Sequence, residues 1–173
     1  MNEALFDSVI RSYLQILPAM DKCLDKGRDH LLAEGRSLDS IVTTRLYEDM
    51  EPFHFQIVCM MHQCAGAVEG LRSGTFSPPS RELVYDYDGL QSLIQDGIKC
   101  IEAVSLDEFR SLCDGEITFT GRSFTLKFSC ADFLLSFSLP NFYFHATTTY
   151  DMLRIQGVPI GKLDFLGKMR FIE

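Results

Sequence analysis

Four histidines and six cysteines are the strongest metal-binding and nucleophilic groups in this 173-residue chain, and their spacing limits the chemistry on offer. His145 is the most informative of them. It closes the run Leu139-Pro140-Asn141-Phe142-Tyr143-Phe144-His145, with Thr149 four residues on and Tyr150, Arg154 and Gln156 beyond. On a helix, at roughly 100° per residue, His145 sits about 70° from the centre of the stripe Phe142, Ala146, Thr149 and Leu153. That is an inner-edge position shared with Thr149 and Gln156. An imidazole there can be a metal ligand or line a small-molecule pocket, or it can be a half-buried group hydrogen-bonded to Gln56 or Tyr13.

The other candidates sit less favourably. His54 lies about 70° from the apolar stripe of its helix, and His62 roughly 150° away on the outer side with Phe55, Cys59 and Glu69. Cys59 is one turn from His62, which is the spacing of a soft-metal or redox pair and equally of two interface residues. His30 falls near a helix C-terminus, where a cation complements the dipole, and has no assigned chemistry. Tyr143 and Tyr150, seven apart, can present hydroxyls at a cavity mouth, while Asn141 can cap the start of the helix. Between Gly157 and Gly167 the chain is too sparse for a phosphate loop. That segment reads as a structured loop covering one end of the bundle, or as a lid. Arg154 and Lys162 would then hold a carboxylate or thiol-bearing ligand, or pair with Asp151 or Asp164. There is no G-x-S-x-G elbow and no C-x-x-C pair.

These residues must be carried by helices. Phe6, Ile10, Tyr13, Leu17, Met20, Leu24 and Leu31 recur at three- and four-residue steps, predicting a helix from about Ala4 to Gly35 with a kink at Pro18. A second helix is expected after an Asp49 cap, with Phe53, Ile57, Met60, Cys64, Val68 and Leu71 as its stripe. A third spans Tyr87 to Val104 behind Asp86. Ser105 and Glu108 have capping-box spacing for a short turn. Ile117–Thr120 and Phe124–Phe128 alternate with period two around Gly121-Arg122, a β-hairpin that must pack on something. The last helix is expected over Pro140 to Gln156, with Gly157 ending it. The fold class is therefore all-α, one domain over residues 1–173: a four-helix bundle with a small hairpin before the fourth long helix.

Composition narrows the partners. Sixteen Lys and Arg against 24 Asp and Glu leave a net charge of −8 with no basic block, which argues against nucleic acid and against an acidic membrane surface. Glu3 and Asp7 stand where a signal peptide would be basic, and the apolar run Phe133–Phe144 is too short to span a bilayer. Scattered cysteines at this length fit a reduced, cytoplasmic protein. The row Phe55, Cys59 and His62, opposite the main stripe, suggests a helix buried on both sides and hence a homodimer.

The segment Leu139–His145, with Thr148, Thr149, Tyr150, Leu153-Arg154 and Gly157-Val158-Pro159-Ile160-Gly161-Lys162-Leu163-Asp164-Phe165-Leu166-Gly167, resembles a family of unknown function within the DinB/YfiT-like metalloenzyme superfamily. Leu24-Asp25-Lys26, Asp49-Met50, Pro52 and Gln56 extend the resemblance over nearly the whole chain. It implies a DinB-like four-helix bundle, often dimeric. It also implies a divalent metal, Zn or Ni, held by one histidine of the second helix and a pair four apart on the fourth. His54 or His62 would fill the first role and His145 half of the pair; Thr149 stands at the other half. Two classes remain open. One is a binding module with a small-molecule pocket near His145, and the other a metal-dependent transferase or hydrolase acting with a low-molecular-weight thiol.

Overall fold

The first apolar stripe forms α1 (Asn2–Ala33) in the computed structural model, which describes residues 2–82 and 84–172. Pro18 lies inside α1 without ending it. Gly35, at φ +69, turns the chain, and the Arg36 N–H reaches the Leu31 carbonyl at 2.9 Å. A single turn, α2 (Asp39–Val42), then buries Ile41 and Val42.

The second rod is two helices rather than the single one expected. Its start is later than Asp49: Pro52 takes the cap position of α3 (Phe53–His62), and the Phe53 N–H donates to the Thr44 carbonyl at 2.8 Å. At Gln63 and Cys64 the helix breaks, and α4 (Ala65–Ser73) follows. The apolar spacing runs straight through this break, so the pattern could not reveal it. What sustains it is tertiary. The Ser138 hydroxyl donates to the Gln63 carbonyl, and Tyr13 Oη lies 2.8 Å from the same hydroxyl. Ser138 has one proton and spends it on Gln63, so Tyr13 is the donor in that second bond.

After left-handed Gly74 comes β1 (Thr75–Phe76). The third rod is α5 (Tyr87–Glu102), with Asp86 accepting from the Gly89 N–H at 2.8 Å as a true N-cap. Ser105 caps α6 (Leu106–Leu112) in the same way. The hairpin forms as β2 (Glu116–Thr120) and β3 (Thr125–Ser129), with Ile117 opposite Phe128. It is not alone: β1 lies parallel to β2, Phe76 beside Phe119, making three strands. Two residues are too few for a periodic signal.

The last rod starts before Pro140. It runs through α7 (Cys130–Asp132), a wide π-helical stretch at Phe133–Ser138, and α8 (Leu139–Ile155). Pro140 has no N–H to donate and its ring crowds the preceding turn, and the widened turns just before it ease both demands. The π stretch also presents Phe133 and Phe137 to Phe76, Phe119 and Phe128 at centroid distances of 4.8–6.2 Å, which is how the sheet is anchored. Gly157, at φ +89, ends α8.

Around the bundle α1 meets α5 and α8, and α3 meets α5 and α8. The core is closed by Tyr13, Phe53, Tyr87, Phe109, Phe133 and Phe142, all fully buried. The final helix, α9 (Lys162–Leu166), lies along the middle of α1 and not over a bundle end. Asp164 pairs with Lys26 at 2.6 Å, and Gln15 donates to the Leu166 carbonyl at 2.9 Å. The outer row of α3 is covered by the chain itself. Phe55 and Cys59 are only 7% and 8% exposed, Arg81 lies over the Phe55 ring, and His62 Nε2 bonds the Ser77 carbonyl.

Candidate functional site

Gln56 and His145 meet across the contact of α3 with α8. Gln56 is 3% exposed, and its amide is oriented from one side: Nε2 donates to the Glu51 carbonyl at 2.8 Å. Oε1 therefore faces His145 Nδ1, also at 2.8 Å. An amide oxygen only accepts, so Nδ1 carries the proton and Nε2 keeps its lone pair. Burial pushes the imidazole pKa down to about 4, which leaves the ring neutral at pH 7. The result is a fixed tautomer with one unprotonated nitrogen.

Around this pair the other expected residues divide. Thr149, fully buried, donates to the His145 carbonyl at 2.8 Å, and Asn141 donates to the Phe137 carbonyl at 2.7 Å. Both flank His145 on α8 but spend their donors on backbone, one turn back. Tyr150 stacks edge-on against Phe165, with centroids 5.7 Å apart. Arg154 is nine residues from His145, roughly opposite on the helix, and donates to the Val158 carbonyl at 2.9 Å. Lys162 stands exposed at the start of α9. The structure thus brings Gln56, His145, Thr149 and Asn141 together and leaves Tyr150, Arg154 and Lys162 with other partners or in solvent.

The three histidines do not assemble. His54 is two residues from Gln56, roughly 200° round α3, and its Nδ1 is buried without a partner. His62 sits over Phe76, centroids 4.5 Å apart, with Nε2 on the Ser77 carbonyl at 2.6 Å. Burial lowers the pKa of both rings. Among the described residues no three His, Cys, Asp or Glu side chains are grouped to hold a metal ion. The donors that do meet on α3 and α8 are two amides, one imidazole and a hydroxyl already committed to backbone. That set does not fit Zn or Ni, which take imidazole, thiolate and carboxylate ligands.

A cavity opens elsewhere. A groove of about 550 Å³ lies between α3, α4, α5 and the segment after β1, lined by Val58, Met61, His62, Tyr85, Gly97 and Cys100. A Cβ on Gly97 would fall 1.8 Å from the Met61 methyl, so the missing side chain is what lets Met61 lie against α5. Neither this groove nor the second described hollow, at the hairpin tip, is lined by His145. Periodicity placed His62 outside the bundle, but the loop that roofs the groove leaves no periodic trace.

Residues 5–166 match the family described as domain of unknown function DUF1993. The chain belongs to that family. No curated protein matches it. This DUF1993 chain is also similar in structure to a DinB family member protein from Shewanella denitrificans, with a TM-score of 0.82 and 22% identity over 99% of this chain and 97% of that one. At that identity the likeness shows the fold, a DinB-like bundle, and nothing of activity. No described helix of the DUF1993 chain is long and apolar enough to cross a membrane.

Proposed function

We propose that this DUF1993 chain binds a small molecule through the neutral imidazole of His145, without a metal ion. The observation that carries the reading is the Gln56 amide held by the Glu51 carbonyl, which leaves His145 Nε2 an acceptor at every pH above about 4. Such a nitrogen receives a hydrogen bond from a hydroxyl or thiol and does not attract a carboxylate. The ligand class it favours is a small uncharged donor, a low-molecular-weight thiol among them.

The test is a titration of ¹⁵N-histidine-labelled, untagged protein with 2-mercaptoethanol, an uncharged thiol, beside elemental analysis of the same preparation. A change in the His145 Nε2 resonance on adding thiol to metal-free protein, lost in His145→Ala, supports the reading. Stoichiometric Zn or Ni in wild type that disappears in His145→Ala overturns it in favour of a metal-dependent transferase. A second location has its own support, since the groove beside His62 is a formed cavity. Thiol-induced shifts confined to His62 would move the binding site there.

A further inference from the structure

Two cysteines that no sequence motif relates lie side by side. Cys113 ends α6 and Cys130 opens α7, 17 residues later, yet their sulfurs are 2.9 Å apart, with the Cys130 thiol donating to Cys113 Sγ. Hairpin register brings them there. Glu116 pairs with Ser129 at the open end of β2 and β3, so the chain enters and leaves the sheet at one place. Buried Ile117, opposite Phe128, holds that mouth shut. The separation is only about 0.9 Å beyond the length of an S–S bond. Cys130 is buried, at 1% exposure, while Cys113 keeps part of its surface in solvent.

We propose that Cys113 and Cys130 form a redox-responsive dithiol, which a low-molecular-weight disulfide oxidises to an intramolecular bond tying the mouth of the hairpin to the start of the last rod. The Cys113 thiolate attacks one sulfur of the small disulfide, forming a mixed disulfide and expelling one small thiolate. Cys130 then gives up its proton and attacks Cys113 Sγ, the protein S–S bond forms, and the second small thiolate leaves. Two protein thiols are oxidised, one small disulfide is reduced, and the released thiolates take up the two protons.

The roles follow from the surroundings. The hydrogen bond from Cys130 pulls the Cys113 pKa down, against burial and the nearby Asp114 carboxylate. The same contact pushes Cys130 up, and that push ends once the mixed disulfide removes the charge on Cys113. Elsewhere burial raises Cys23 to about 11 and Cys59 and Cys64 to about 12, so those thiols stay protonated and covered. Cys100 is half-exposed and serves as an internal control for simple access.

The experiment equilibrates the full chain with glutathione disulfide and glutathione at a series of ratios, then alkylates and maps the remaining thiols. The expected result is loss of two thiols together, a Cys113–Cys130 cross-linked peptide, and a Tm higher by roughly 5–10 °C. Cys130→Ser should accumulate glutathione on Cys113, whereas Cys113→Ser should leave Cys130 unmodified, with circular dichroism confirming that both variants fold. The proposal is overturned if Cys113 and Cys130 remain alkylatable at oxidising ratios where Cys100 has reacted. It is equally overturned if Cys113 is found joined to a different cysteine, or if the cross-link forms only in denaturant.

Discussion

His145 donates a hydrogen bond from its Nδ1–H to Gln56 Oε1, so its titration reports directly on the polarity of that flank of α8. We expect its ring protons in NMR to titrate near pH 4, not near the 6.5 of an exposed imidazole. A midpoint above 6 would mean the ring is solvated and its tautomer is not held by Gln56. Gln56→Leu removes the acceptor while keeping volume. It should cost about 1–3 kcal/mol in urea denaturation, because a buried N–H is left unpaired, and it should mix the two His145 tautomers. If stability and tautomer are both unchanged, Gln56 is not the group that orients the ring.

The break in the second rod and the π stretch in the last one are a single arrangement at the level of elements. Ser138 ends the π stretch and answers the carbonyl freed at the break, with Tyr13 of α1 as the third member. Ser138→Ala therefore strands two buried partners on two other elements, and a loss of about 2–4 kcal/mol is expected. A loss below about 0.5 kcal/mol would show the three rods are not joined there. Gly157→Ala tests the end of α8 in a different way. At φ +89, with the new Cβ 3.2 Å from His30 Nε2, it should destabilise by at least about 1 kcal/mol without disturbing the Gln56–His145 bond.

Acid sensitivity belongs to the whole molecule, because His54, His62 and His145 are all shifted in one direction by burial. Their folded pKa values lie below that of the unfolded chain, so the unfolded state binds protons first as pH falls. The contribution of these rings to stability is then full above about pH 6.5 and declines towards pH 4, with His145 contributing at most about 3 kcal/mol, and less where solvent screens it. Denaturant midpoints at pH 7.5 and pH 5 check this, and a higher midpoint at pH 5 would contradict it. Self-association has a similar test. Since residues after β1 cover Phe55, Phe55→Asp should lower stability and leave the mass by light scattering unchanged. A change from dimer to monomer would instead identify that row as an interface between copies.

Four rods, two of the caps, the hairpin and the helix stops at Gly35 and Gly157 were legible because each has a local cause, whereas the sequence left Gln56 and Tyr13 open as partners of His145. Amphipathic spacing, Asp86 and Ser105 before a helix, and glycine at positive φ act within a few residues of chain. Periodicity even placed His145 at the inner edge. What it could not supply was whatever depends on contacts between segments distant along the chain. The stripe through Gln63 and Cys64 is unbroken, and the Gln63 carbonyl at the break is answered by Ser138, 75 residues further along the chain. The two residues of β1 become a strand only because β2 lies beside them. Cys113 and Cys130 look scattered until hairpin register brings their sulfurs together. Spacing along a chain encodes which face a residue takes; which residue it meets on that face is decided when separate elements pack.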